Sequence, residues 1–368
     1  MTGLHGYAEH FDEPEGYLDF ARHGPPSRDV LDATARAMAA SARADHTTVD
    51  ELMRAEPRAI AAAARLAGTT PEHVVLMPNA STGLFHAAFG LPSGTVLVPA
   101  GEFPSNAYPW RRAAALGRTG LRTLDGWATP DAVKSALTDD VTAVSVSAVD
   151  FRTGYRADLG ALREVVGDRL LVVDAIQGFG IAGMDWGAAD VLVTGGQKWL
   201  RASWSTGFLA VSDRALERLE PTLTGWTGVR DAGVFDDVEH TPAPGAARFS
   251  VTNPSPVAAA ALATALELVE RVGVRAIERH IEERVGQLID TVRAVGGLVL
   301  SPAARRERAG LVSFTVPGAA PERVAGALRE HGVAPTVRSD CVRLSAHAST
   351  TLGAVDRVHA ALQNLRRR

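Results

Sequence analysis

The sequence predicts an α/β protein: a mostly parallel sheet with helices on both faces, followed by a small C-terminal α/β domain. Three observations carry this. Short β-branched runs, such as Val74-Val75-Leu76-Met77, Ala143-Val144-Ser145-Val146 and Leu170-Leu171-Val172-Val173, recur along the chain between stretches of helical character. The runs are mostly apolar rather than strictly alternating, as in strands buried on both faces. After Gly296-Gly297 the pattern changes to a shorter strand–helix alternation. At 368 residues the chain exceeds one ordinary core and suits one large and one small domain.

The elements follow in order. Residues 1–26 read as an extended segment holding Tyr17-Leu18-Asp19-Phe20 and ending in the loop Gly24-Pro25-Pro26. Ser27 is placed to N-cap a helix over 28–42, and a second helix covers 49–67. Strands at 74–77, 96–98 and 143–146 alternate with helices at 81–89, 106–116 and 158–166. Strands at 170–174, 191–194 and 207–211 follow. Thr241-Pro242-Ala243-Pro244-Gly245 is a loop. Long helices cover 256–272 and 274–295. The last unit reads as strand 311–316, helix 321–331, strand 342–344 and helix 352–365. The expected organisation is an N-terminal segment at 1–26, a large domain at 27–296 and a small domain at 297–368.

Composition excludes several classes. Apolar residues are 46%, charged residues 22% and the net charge −4, which favours neither a nucleic acid nor a membrane surface as partner. The basic end Arg366-Arg367-Arg368 reads as a solvated helix terminus. Cys341 is the single cysteine, so an intrachain disulfide and a cysteine-built zinc site are both ruled out. Met1–Gly16 is acidic without an apolar core, and no run approaches the ~20 apolar residues of a membrane span. A cytoplasmic protein is expected.

The chemistry-bearing residues sit at strand ends. Asp174 closes the run Leu170–Val173, and Lys198 follows 24 residues later in Thr194-Gly195-Gly196-Gln197-Lys198-Trp199. Taken singly, Asp174 is a helix cap or metal ligand and Lys198 a surface lysine. Together they suit pyridoxal 5′-phosphate: the lysine holds the cofactor as a Schiff base, and the acid keeps the pyridine nitrogen protonated so that the ring accepts electrons. Ser81 and Thr82, in Asn79-Ala80-Ser81-Thr82-Gly83, offer hydroxyls and helix N-terminal N–H groups to a phosphate, the lesser reading being a simple N-cap at Ser81. Glu102-Phe103-Pro104-Ser105-Asn106 presents an aromatic ring at another strand end, where the plainer reading is packing under a helix. Two rivals fail. Gly178-Phe179-Gly180-Ile181-Ala182-Gly183 matches a dinucleotide fingerprint but leaves no room for the crossover helix before the strand at Val191. A P-loop would need Ser or Thr where Trp199 stands.

On Asp174-Ala175-Ile176-Gln177, the Lys198 segment and Ser205-Thr206-Gly207-Phe208-Leu209, the chain resembles the class V aminotransferase superfamily of fold-type I pyridoxal phosphate enzymes, which includes cysteine desulfurases, kynureninases and isopenicillin N epimerase-like proteins. The resemblance runs from Tyr17 to the last helix. It implies that Lys198 is the Schiff-base lysine and proton shuttle, and that Asp174 pairs with the ring nitrogen. Gln177 would bond the ring's 3′ oxygen, Phe103 would stack on the ring, and Ser81, Thr82 and Gln197 would hold phosphate. The serine often found three before the lysine is Gly195 here, which leaves open whether Thr194 substitutes. Arg343 would grip the substrate α-carboxylate, while His347 reads as structural. Thr252 and Asn253 would enter from the partner of a homodimer, with Trp226 in a comparable region. The implied activity is transamination of a small L-amino acid. The alternative is a β-lyase (C–S lyase), and a more distant one a non-enzymatic pyridoxal phosphate-binding regulator. A desulfurase needs a loop cysteine well upstream of its carboxylate arginine. Cys341 lies two residues before Arg343 and reads as a core or wall residue. Asn106 stands where a kynureninase carries an acid.

Overall fold

The computed structural model describes residues 4–367. Met1–Gly3 of the expected N-terminal segment and Arg368 of the basic terminus lie outside them. Seven strands form the large sheet: β1 (Val74–Leu76), β2 (Thr95–Pro99), β3 (Gly120–Leu124), β4 (Val141–Ser147), β5 (Leu170–Asp174), β6 (Val191–Gly195) and β7 (Gly207–Val211), in the order β1-β7-β6-β5-β4-β2-β3. Pairing from β3 through β6 is parallel, and β7 runs antiparallel to both neighbours. This is the predicted mostly parallel sheet, with a reason for its one reversal. Residues 196–206 join β6 to β7 as a hairpin loop, closed by Gly195 opposite Gly207, and Lys198 rides on that loop.

Parallel strands place their carboxyl ends on one edge, where open α/β sheets collect ligands. Ser147 pairs with Asp174 at this edge. The helices Ala80–Gly90 and Pro104–Ala115 cover the face of Val96, Val98, Val172 and Val193. The helices Leu159–Val166 and Pro256–Val272 cover the face of Leu171, Val173 and Leu192. Every residue of β5 and β6 is buried, which is why their sequences do not alternate.

A second, antiparallel sheet is built from β8 (Leu298–Val299), β9 (Leu311–Thr315), β10 (Thr336–Val337) and β11 (Val342–Ser345), in the order β10-β11-β9-β8. The N-terminal segment lies beside it, with Tyr17 bridging Ala334 and Asp19 bridging Ser345. Among the described residues, no helix is long and apolar enough to cross a membrane.

Several elements depart from the sequence reading. Leu4–Ala8 is helical rather than extended. Its Tyr7 is buried against Phe11 and His347, a tertiary contact that one short turn does not announce in its periodicity. The expected helix over 49–67 is two, Thr48–Met53 and Ala55–Ala67. Pro57 has no N–H to continue the ladder across Arg54. The edge strand β3 and the helix Pro130–Ala136 have no counterpart in the sequence reading, because each buries little: β3 seals only Leu124 and the helix only Val133.

Arg201 locks the N-terminal segment to the Lys198 loop. It is 1% exposed and pairs with Glu13. Its guanidinium lies 3.4 Å from the Phe11 ring centroid, its Nε donates to Pro25 O at 2.6 Å and its Nη1 to Ser349 Oγ at 2.9 Å. Gly24 passes so near that a Cβ there would sit 1.9 Å from Lys198 O. Removing one partner of a buried ion pair strands the other charge. Glu13→Ala is expected to cost about 3–5 kcal/mol in a urea unfolding curve. A loss below about 1 kcal/mol would show that Arg201 does not depend on Glu13.

Candidate active site

Asp174 ends β5 with 2% of its surface exposed, and its Oδ1 accepts from Ile176 N–H at 3.0 Å. Burial holds its carboxyl above the usual carboxylate range, against the pull of that N–H and of Lys198. Lys198 shows the converse. Burial lowers its ammonium to about 8, Asp174 opposes this, and the nearby Arg343 and Arg338 add to the lowering. The acid and the lysine feel each other, yet no ion pair within 4 Å joins them. That separation leaves room for a group that takes a proton-bearing nitrogen at one end and the lysine at the other.

Lys198 Nζ lies 5.4 Å from the centroid of Phe103. Phe103 stands at the entry of the helix Pro104–Ala115 and meets Phe151 edge-on, at 5.1 Å and 78°. Its neighbour Glu102 accepts from Ser147 N–H at 2.7 Å and from Ser147 Oγ. Burial pushes the Glu102 carboxyl up to about 7, with the Ser147 bonds pulling down and Asp174 adding to the rise.

At the start of the helix Ala80–Gly90 the N-cap is Asn79, not Ser81. Asn79 Oδ1 accepts from Thr82 N–H at 2.9 Å and from Thr82 Oγ1 at 3.2 Å. Ser81 is thereby released from capping, and its hydroxyl donates to Ser105 Oγ at 2.8 Å. A Cβ on Gly195 would lie 2.5 Å from Gln197 Oε1, so the Gln197 amide occupies the space a residue-195 side chain would take. Thr194 is buried on the face of Leu192, opposite Val193, which packs under Gly83. It therefore points away from the side of the sheet that carries Ser81 and Asp174.

Gln177 is more committed than its expected role implies. Its Nε2 donates to Ala21 O at 3.0 Å and its Oε1 accepts from Trp199 Nε1 at 2.7 Å, leaving one amide N–H for a ligand. His347 matches its structural reading. It is buried, its Nε2 is 2.9 Å from Trp199 O, and burial followed by the Arg201 charge lowers it to about 3.

Arg343 is 1% exposed on β11 and donates to Phe151 O and, at 3.1 Å, to Thr336 Oγ1, while its buried Nε has no partner. Thr252 and Asn253 are exposed and line a cavity of about 390 Å³ together with Thr82, Ser205 and Gly207. Trp226 Nε1 donates to Thr252 Oγ1 at 3.1 Å. Cys341 is buried, and burial, then Asp340, raises its thiol to about 11.

The donor set fits pyridoxal phosphate. It offers a buried acid for a cationic ring nitrogen, a lysine with a near-neutral pKa and an aromatic face beside it, with hydroxyls and first-turn N–H groups for phosphate at a helix start. Among the described residues, no cluster of His, Cys, Asp and Glu is placed to hold a metal. Sequence reasoning passed over Glu102, Ser147, Phe151 and Arg338. Glu102 adjoins Phe103, and Ser147 is the in-register neighbour of Asp174, so the strand ends themselves were the available signal.

Comparison with known proteins agrees. The aminotransferase class-V family model matches residues 17–364. Similar proteins include the uncharacterized aminotransferase YcbU of Bacillus subtilis, 28% identical over 78% of this chain and 77% of its own. The kynureninase of Deinococcus radiodurans is 32% identical over 66% of this chain and 60% of its own. A probable cysteine desulfurase of Aeropyrum pernix is 29% identical over 92% and 88%. The fold matches the cystine C–S lyase C-DES, in complex with cysteine persulfide, with a TM-score of 0.86 at 22% identity over 94% of this chain and 97% of that one. The chain belongs to the aminotransferase class-V family and is a pyridoxal phosphate-dependent enzyme of fold-type I.

Proposed function

We propose that this enzyme removes the α-proton of a small L-amino acid with Lys198 and completes a β-elimination that cleaves a C–S bond. The observation that carries the proton-transfer step is Lys198 itself, a half-buried amine that desolvation lowers to about 8, within reach of the Asp174 charge. At neutral pH a usable fraction is an unprotonated base. Pyridoxal phosphate, when bound, supplies an electron sink for the electrons left on Cα.

The other roles belong to the chain's own residues. Arg343 presents a planar fork to the α-carboxylate and so fixes which Cα bond faces the ring. Phe103 covers the ring and keeps water from Lys198. Asp174 would hold the ring nitrogen's proton, and Ser81, Thr82 and Gln197 would hold the phosphate. The spare N–H of Gln177 serves the 3′ oxygen.

Elimination is favoured over transamination by the desulfurase-type relatives and by the acids present. Glu102, the half-buried carboxyl next to Phe103, is tied to Ser147 and does not stand free to protonate a leaving group. The leaving group therefore has to depart as a stable anion, as a thiolate does. Cys341 cannot take the sulfur, because its thiol stays protonated and it sits in the closed turn between β10 and β11. Transamination is the second reading, supported by the likeness to an aminotransferase. It would require that Lys198 deliver that proton to the cofactor rather than back to the α-carbon, and that water then release the keto acid.

We also propose a homodimer that shares its sites through Thr252 and Asn253. Trp226 and Val251, 50% and 48% exposed beside Thr252, form an apolar patch suited to a second copy.

Incubation with cysteine S-conjugates is expected to release pyruvate and free thiol, and Lys198→Ala to reduce this about 10²–10⁴-fold. Keto acid formed together with pyridoxamine phosphate would instead establish transamination. Covalent uptake of the cofactor by the apoprotein, followed by absorbance, should rise with pH through about 8, because Lys198 attacks only when deprotonated. A midpoint near 10.5 would place that lysine in water. Mixing Lys198→Ala and Thr252→Ala chains should restore activity that neither has alone, and failure of every such hybrid would argue against shared sites.

A further inference from the structure

We propose that the substrate carries a second anionic group, a distal carboxylate, and that Arg338 receives it while Arg343 holds the α-carboxylate. This rests on the function proposed above and names its substrate class.

Both arginines belong to one hairpin. Thr336 pairs with Arg343 and Val337 with Val342, and the turn closes where Arg338 N–H donates to Cys341 O at 2.9 Å. Arg338 lies one residue past β10, where its bond to Cys341 O continues the ladder, so it falls on the face of Thr336 and Arg343, a diagonal neighbour about 7–8 Å from Arg343.

Phe151 connects the two side chains. Its carbonyl accepts from Arg343 Nη1, and its ring centroid lies 5.4 Å from Arg338 Cζ. The same ring meets Phe103, over which Lys198 Nζ sits, so both guanidinium groups belong to the wall of the Lys198 site. The Nε atoms of Arg338 and Arg343 are both buried without hydrogen-bond partners.

Other sheltered arginines spend their donors on backbone carbonyls, as Arg169, Arg248 and Arg284 do, or on carboxylates. Arg156 pairs with Glu278, Arg163 with Asp190 and Arg201 with Glu13. Among the described residues, no carboxylate lies within 4 Å of Arg338 or Arg343. The carboxylates that act on Arg343 are Asp19, reached through Thr336 Oγ1, and, more weakly, Asp150. Burial and then the Arg338 charge lower Arg343 to about 10, so the two arginines repel each other when no anion lies between them. Buried charges are normally paired, and one carboxylate fills one guanidinium fork. A second fork on the same face calls for a second anion.

The test uses unreactive acids matched in carbon number: succinate against butyrate, glutarate against pentanoate, and adipate against hexanoate. Each is titrated calorimetrically into the cofactor-loaded protein, so that the phosphate-binding residues are already occupied. At least one diacid is expected to bind about tenfold or more tightly than its partner. Arg338→Gln should abolish that preference, bringing the diacid to the monoacid level, and Arg343→Gln should weaken both acids. Arg338→Lys, which keeps the charge, should retain part of the preference and covers the case in which the glutamine variant does not fold. Equal binding of diacids and monoacids by the unaltered protein would overturn the proposal. So would an Arg338→Gln protein that weakens both acids alike, since both arginines would then serve one carboxylate. These probes carry no amino group and do not react. Failure of the elimination reading would appear in the product assay and leave this result standing.

Discussion

The site depends on the desolvation of two unlike charges that do not touch. Asp174 and Lys198 are carried to one edge of the sheet by β5 and by the β6–β7 hairpin loop, and each is shifted toward its neutral form by the loss of water. Direct pairing would quench both. Held apart, they leave an acid that favours a cationic ring nitrogen and an amine able to act as a base near neutral pH. The fully buried strands make this possible, since β5 and β6 exclude water on both faces.

Keeping the charges apart requires a stiff frame around the Lys198 loop. Three non-glycine residues of that loop, Arg201, Ser203 and Ser205, have φ of 57°, 73° and 60°, so its path is held by contacts rather than by backbone preference. Arg201 supplies many of those contacts. Gly24 and Trp199 supply others: the Gly24 N–H donates to Gln197 O, and Trp199 joins Gln177 to His347. The N-terminal segment is therefore part of the active-site wall, although it lies far from Lys198 in sequence.

The fold was legible where burial is two-sided. The central strands and the long helices read directly from their apolar runs, as did the Asp174–Lys198 spacing. Elements that bury a single side chain, such as β3 and the helix Pro130–Ala136, left no periodic signal. Cap identity was also out of reach, because Asn79 and Ser81 are both good caps and only geometry assigns the role to Asn79. Gln177 showed the limit of reading a role from a motif, since most of its amide is used to hold Ala21 and Trp199. Arg338 was missed because its meaning comes from cross-strand register with Arg343, which a single strand's pattern does not contain.

The chain has only two lysines, Lys134 and Lys198, and Lys134 is exposed. Borohydride reduction of the cofactor-loaded protein, followed by peptide mapping, therefore tests the central claim with little ambiguity. A stable pyridoxyl tag is expected on Lys198, with Lys134 unmodified. A tag on Lys134, or no tag on either lysine, would contradict it.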